Sequence, residues 1–295
     1  MWRRPAVRVP IRHPTPEAPQ ARSNPSLLLP GRIPPLILAD LFLARLLEQA
    51  EAENARAFIG PDTPLLEIAG GCAVFAGAGS PLSHGVGMGL RGPLHEAEIQ
   101  AIEDFFHSRG AAVSLELCPL ADPGLFESLG NRGYRIAEFN NVLVKPLSAA
   151  EIVMTPHVRR AGADEKELWS HTLGEGFFEQ PHLTDQEMDI GRAIFGSPSS
   201  LCYLVISESG EPAGGGAAAF HETLATLFAD TTLPRFRRQG FHRELIGARL
   251  NEAIARGCRL ATASTLPGSG SQRNYERAGF QVVYTKVTLT DAKTS

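Results

Sequence analysis

One pattern of turn residues occurs twice in this chain, and it constrains the fold more than any other feature. Arg109-Gly110, a short apolar run, Pro123-Gly124, a short amphipathic run and Gly133-Tyr134 come first; Arg256-Gly257, an apolar run, Pro267-Gly268, an amphipathic run and Gly279-Phe280 follow at an offset of 144 to 147 residues. Glycine and proline punctuate elements because tight turns make backbone demands that other residues meet at a cost. A repeated punctuation therefore implies a repeated arrangement of elements. The 295 residues are enough for about two domains, each with its own core.

Between the turns, apolar runs of strand length alternate with stretches of helical period. In the first half the spacing predicts a helix over 36–54, strands over 65–69 and 72–75 across Gly70-Gly71, and a helix over 96–108 with Ile99, Ile102, Phe105 and Phe106 on its inner face. A strand over 113–117, a short helix over 125–131 and a closing strand over 142–144 complete it. The second half reads as a strand over 158–161, helices over 164–175 and 185–195, strands over 203–207, 217–220 and 223–232, a loop to 240, a helix over 241–256, a strand over 259–265, a helix over 271–277 and a last strand over 281–289. Such alternation makes the fold class α/β, or α+β with a mixed sheet. The predicted division is a tail over 1–35, a first domain over 36–147 and a second over 148–295.

The tail is predicted to be flexible because its nine prolines and six arginines show no amphipathic period. Those arginines face Glu17 alone, so a chain of net charge −4 carries −9 over residues 37–295. An acidic folded part argues against a nucleic-acid partner, which needs a basic face. Cys72, Cys118, Cys202 and Cys258 lie far apart, with no Cys-x-x-Cys, which suits a reducing cytoplasm. No run of 18 apolar residues exists to cross a membrane, and the apolar stretch 27–41 is broken by Pro30, Arg32, Pro34 and Pro35, so no secretory signal is expected.

The chemistry concentrates in the segment Thr232-Leu233-Pro234-Arg235-Phe236-Arg237-Arg238-Gln239-Gly240-Phe241-His242, between an apolar strand and an amphipathic helix. Gly240 lets a backbone approach a ligand closely, the first helical turn presents free amides, and Arg237 and Arg238 add formal charge. An anion is the expected guest. A rival lies in the first half, where Gly87-Met88-Gly89-Leu90-Arg91-Gly92 spells the dinucleotide fingerprint G-x-G-x-x-G with Glu116 as a ribose acceptor, although Ser80 to His84 does not read as the strand that should precede it. His221-Glu222 lacks the second histidine of a zinc helix, Ala225 standing there, and no metal is expected.

Arg237-x-x-Gly240, a helix, a strand and then Tyr275-Glu276-Arg277-Ala278-Gly279-Phe280 resemble the GNAT superfamily of acetyltransferases over residues 155–290. Thr232, Pro234 and Arg237 match the pattern that leads into the family's loop. The resemblance implies acetyl-CoA as co-substrate, its pyrophosphate held at Arg237, Arg238, Gln239, Gly240, Phe241 and His242. It also implies main-chain contacts to the pantetheine arm from Thr231, Thr232 and Leu233 where two parallel strands part, with Ser271 completing the cofactor set. Tyr275 is the implied catalytic acid, a phenol protonated at neutral pH that can protonate a departing thiolate. His242 departs from the small residue the family carries there, and Gly268 from its frequent asparagine.

The general base stays open among Glu175, Glu179, His182, His221, Glu222, Asp230 and a water chain. The acceptor is expected to be a small-molecule amine or a peptide, homodimerisation is an open option, and a CoA-binding sensor without turnover is the alternative. The first half lacks the arginine-led loop and has Leu129 in the place of Tyr275, which makes it a degenerate copy.

Overall fold

The computed structural model describes residues 37–291; the Pro/Arg-rich segment 1–35 lies outside them. The first half runs α1 (Leu41–Ala57), β1 (Leu65–Ile68), β2 (Gly71–Val74), β3 (Gly85–Val86), α2 (Glu96–His107), β4 (Ser114–Leu117), α3 (Pro123–Asn131) and β5 (Arg135–Pro146). The second runs β6 (Val158–Arg160), α4 (Lys166–Phe178), α5 (Asp185–Gly196), β7 (Ser200–Ile206), β8 (Pro212–His221), β9 (Leu224–Thr232), α6 (Phe241–Ala255), β10 (Leu260–Thr265), α7 (Gly270–Arg277) and β11 (Gln281–Thr290).

Where elements depart from expectation, the cause is local. α1 starts at Leu41 because Asp40 caps it, its Oδ1 accepting from the Leu43 amide at 2.7 Å, and Leu38 stays 73% exposed outside the helix. The closing strand of the first half is twelve residues long rather than three, since pairing with β11 and not apolar content holds Arg135–Asn140 in the sheet.

Among the described residues the strands form one eleven-stranded mixed sheet, in the order β1-β2-β3-β4-β11-β5-β10-β9-β8-β7-β6. At its centre β5 and β11 run antiparallel. β11 then pairs antiparallel with β4, whose other neighbour β3 is parallel; β5 pairs antiparallel with β10, whose other neighbour β9 is parallel. Each half thus repeats the other outward from the centre, as the turn pattern implies, but each closing strand lies against the parallel pair of the opposite half. The boundary at residue 147 divides the sequence and not the sheet.

Side-chain alternation along β5 feeds both cores, while β11 adds to the first. Val142 and Val144 of β5 join Leu47, Ile102, Phe106 and Leu115 of the first half, as do Tyr284 and Leu289 of β11. Leu143, pointing the other way, packs with Ile246, Leu250, Ala263, Tyr275 and Phe280 of the second half.

β11 is also fastened to the first half by ionic contacts. Lys286, 2% exposed, meets Glu51, Glu116 at 3.3 Å and Glu48 at 3.7 Å, and Ser264 Oγ donates to Glu51. Burial pushes the Glu48 carboxyl up to about 7 against the opposing pull of Lys286, and the neighbouring Glu51 charge adds to the rise.

Candidate functional site

The site begins where two parallel strands part. β9 and β10 pair from Leu224↔Leu260 to Leu227↔Ala263. Beyond that β10 follows β5, through Ser264↔Val142 and Thr265↔Asn141, while β9 stays with β8 through Thr231↔Gly215 and Thr232↔Gly214. A bulge makes the divergence: the β8–β9 register shifts between Gly215 and Ala217, and Ala229 takes a left-handed φ of 56°. Gly216 stands opposite it, where a Cβ would lie 3.0 Å from both Asp230 Oδ1 and Leu245 Cδ2 and crowd them.

The Leu233 amide donates to the Ala213 carbonyl at 2.9 Å, on the β8 side, so alternation turns the main-chain groups of Thr232 toward the opening. The Thr232 hydroxyl is buried there without a hydrogen-bond partner among the described residues. Of the three residues expected to face the pantetheine arm, Thr231 and Thr232 line the cleft, whereas the buried Leu233 does not and has its amide taken.

Past a single turn at Pro234–Phe236 the chain enters α6 through two left-handed residues, Arg238 at φ 65° and Gly240 at φ 88°. Phe241 anchors the helix start by burying its ring beside His157 and Phe236, at 5.4 and 6.4 Å between centroids. The amides of Arg243 and Glu244 are the first to turn back, to the Gly240 carbonyl at 2.9 and 3.1 Å, which leaves those of Phe241 and His242 without an acceptor within the helix.

The resulting cleft holds about 710 Å³. Asp230, Thr231 and Thr232 form its inner end, Gly240, Phe241 and His242 its floor, and Ser271 and Asn274 of α7 one wall. Five arginines line it, Arg237, Arg238, Arg243, Arg273 and Arg277, against the single carboxylate of Asp230. In a chain whose residues 37–295 carry −9, that concentration is a local feature, suited to a ligand with several negative charges. Gln239 sits exposed in the loop without lining the cleft.

Tyr275 also lies behind the wall, 1% exposed, its ring edge-on to Phe280 at 4.9 Å and to His242 at 6.0 Å. Its hydroxyl donates to Asp230 Oδ2. The same carboxylate takes Arg249, which is fully buried, and His242 Nε2 at 3.3 Å, while Asn274 Nδ2 meets His242 Nδ1 at 2.7 Å. An amide donating to Nδ1 places the imidazole proton on Nε2, toward Asp230. Burial works to raise the Asp230 pKa, but Arg249 and then His242 outweigh it and hold the carboxyl at about 2. Burial first, and the Asp230 charge second, push the Tyr275 phenol well above 10.

The other candidate bases lie elsewhere or are engaged. Glu175 pairs with Arg235 and Glu179 with Arg237, at 2.7 Å in the second case. His221 is bonded to Glu53 at 2.7 Å and Asn54 at 2.8 Å, one residue from the left-handed turn at Glu222. Neither His182 nor these groups line the cleft; Asp230 and His242 do. Arg249 and Asn274 were missing from the sequence reading. A charged residue at position 249, amid the apolar Leu245, Ile246, Leu250 and Ala253 of α6, was the available signal.

In the first half two of the three fingerprint glycines, Gly87 and Gly89, are spent on packing. A Cβ on Gly87 would meet Ala52 at 3.2 Å, one on Gly89 would meet Leu125 at 2.9 Å, and Glu116 is paired with Lys286. The remote dinucleotide reading loses its ligand-facing backbone and its ribose acceptor together. Among the described residues no group of three His, Cys, Asp or Glu side chains is placed to hold a metal ion, and no helix is long and apolar enough to cross a membrane.

Comparison with known proteins gives this geometry its context. Residues 166–280 match the model of the acetyltransferase (GNAT) family. No curated protein matches the chain by sequence. Among solved structures, a GCN5-related N-acetyltransferase from Kribbella flavida superposes with a TM-score of 0.61 at 20% identity, covering 87% of this chain and 97% of its own. A tandem GNAT protein from the clavulanic acid biosynthesis pathway gives 0.57 at 12% identity, covering 85% and 93%. A GCN5-related N-acetyltransferase from Sphaerobacter thermophilus gives 0.51 at 16%, covering 78% and 75%. The region 166–280, which contains the parted strands, the loop at Gly240 and Tyr275, is a domain of the acetyltransferase (GNAT) family, and the chain around it has the fold of these tandem and GCN5-related proteins.

Proposed function

We propose that the chain is a tandem GNAT protein whose second half binds acetyl-CoA and transfers the acetyl group to an amine of a small molecule or peptide. The observation that carries this reading is the arginine-lined cleft at the parting of β9 and β10. Its groups fit the co-substrate in kind. The free amides of Phe241 and His242, with Arg237 and Arg238, suit a pyrophosphate, and the opening beside Thr232 suits an extended amide-bearing arm. Acetyl-CoA supplies the activated thioester. The Thr232 amide, turned to the opening, is placed to donate to the oxygen on which charge develops. Asp230, ionised throughout the physiological range, orders His242 and Tyr275 behind it.

Two roles are open to Tyr275: the acid that protonates the thiolate, which must leave Asp230 to act, or a positioning residue that fixes Asp230. A second reading, a CoA-binding protein without turnover, is favoured by one observation, the burial of that phenol behind the cleft wall. Release of free CoA from acetyl-CoA in the presence of a broad amine panel tests both. Binding without release selects the sensor, and no binding of CoA removes either reading.

A further inference from the structure

The arginines of the cleft divide by the partners they already have. In the loop before α6, Arg237 is paired with Glu179, while Arg238 beside it, held in a left-handed conformation, has no ion pair among the described residues. On the opposite wall Arg243 projects from the first turn of α6, and Arg273 and Arg277 lie one turn apart on α7. All three are exposed, and among the described residues none of them is ion-paired. Arg277 Nη1 donates to Asn274 Oδ1 at 3.4 Å, and Glu276 on the same helix accepts from Gln272 at 2.7 Å.

Three uncompensated guanidinium groups on adjoining helices do nothing for the fold. Like charges at i and i+4 are mildly destabilising, and the surrounding chain is acidic. Their arrangement fits an external anion. The first turn of α6, with its free amides, already offers a place for a bridging diphosphate, which carries about one charge per phosphoryl group. A terminal phosphate monoester carries up to two and exposes three oxygens, and it is matched by several guanidinium forks lining one cleft.

We propose that Arg243, Arg273 and Arg277 form a second anion subsite, specific for a phosphate monoester, and that its occupant is the 3′-phosphate of CoA. The assignment rests on the acetyl-CoA reading above and goes further, because it makes the monoester a determinant of which nucleotide thiol the protein accepts. The subsite lies on the α6–α7 wall, apart from Arg237 and Arg238 of the loop.

Titration calorimetry with CoA and with dephospho-CoA at about 0.1 M salt tests it, on the parent protein and on Arg273→Ala/Arg277→Ala, two exposed positions whose replacement spares the core. The parent should prefer CoA by about tenfold or more, the worth of one charge-assisted contact in partly exposed surroundings. In the double variant the preference should fall toward unity while dephospho-CoA affinity stays as in the parent. Equal affinities in the parent overturn the subsite and leave the acetyl-CoA reading intact. A preference that survives in the variant overturns it too, as does an equal loss of both ligands, which would assign these arginines to the whole nucleotide. Failure of the parent to bind either thiol overturns the acetyltransferase reading itself, and the subsite with it.

Discussion

Tyr284 Oη donates to Glu48 Oε1 at 2.8 Å across 236 residues of sequence, joining the last strand of the chain to its first helix. The bond sits in the ionic cluster around Lys286, where β11 of the second half is held between β4 and β5 of the first.

Removal of residues 1–147 deletes both neighbours of β11 and leaves β10 without β5. The fragment 148–295 should therefore fail to unfold cooperatively, and adding the separately expressed first half should restore a cooperative transition. Circular dichroism during thermal unfolding checks this. A fragment that melts cooperatively by itself would show that the exchanged strands are dispensable.

The Glu48 carboxyl sets a pH dependence of stability. Its folded-state pKa of about 7 lies above the ordinary 4.5, so between these values the folded chain holds a proton that the unfolded chain releases. Stability from this group is present below about 4.5 and is lost as pH rises through 7. Melting temperature should fall more steeply between pH 5 and about 7.5 in the parent than in Glu48→Gln, which carries no titrating group. Parallel curves would remove Glu48 from the account.

Gly240→Val should abolish CoA binding while sparing the fold. Nothing lies within 4 Å of a Cβ built at Gly240, so the cost is that of a β-branched residue at φ 88°, about 1 to 3 kcal/mol, together with a side chain at the cleft floor. Calorimetry with CoA beside a thermal melt is the measurement. Unaltered affinity would place the diphosphate elsewhere.

Tyr275→Phe separates the two roles of the phenol. As the acid, its loss should lower kcat about 10²- to 10⁴-fold with CoA affinity unchanged. As a positioning residue, its loss should lower kcat less than about tenfold and alter the pH profile, since Asp230 would lose one of its donors. An unchanged kcat and profile would exclude both.

Much of this was legible in the sequence, and what was not shares a physical cause. α5 and α7 were readable because capping residues and apolar spacing are local: Thr184 caps Asp185–Gly196, and Ser269 caps Gly270–Arg277. The Arg135–Asn140 stretch of β5 was not, because its exposed residues show no alternation and a strand 140 or more positions away holds it in place. The same division runs through the site. The loop at Gly240 announces itself by composition, but nothing within ten residues of Asp230 tells that Arg249 lies beneath it, or that Tyr275 faces inward rather than toward the cleft.

The exchange of closing strands governs the order in which the molecule can be made. While the ribosome is still extending the chain through residue 280, β4 has an unpaired edge and Glu48, Glu51 and Glu116 have no lysine among them, so the first half cannot settle before the second is finished. Completion waits for contacts of very long sequence separation, which form slowly and leave apolar strand edges open meanwhile. The exchange makes each half a structural requirement of the other, since β10 has β5 and β11 has both β4 and β5 as the neighbours that complete the second half's part of the sheet.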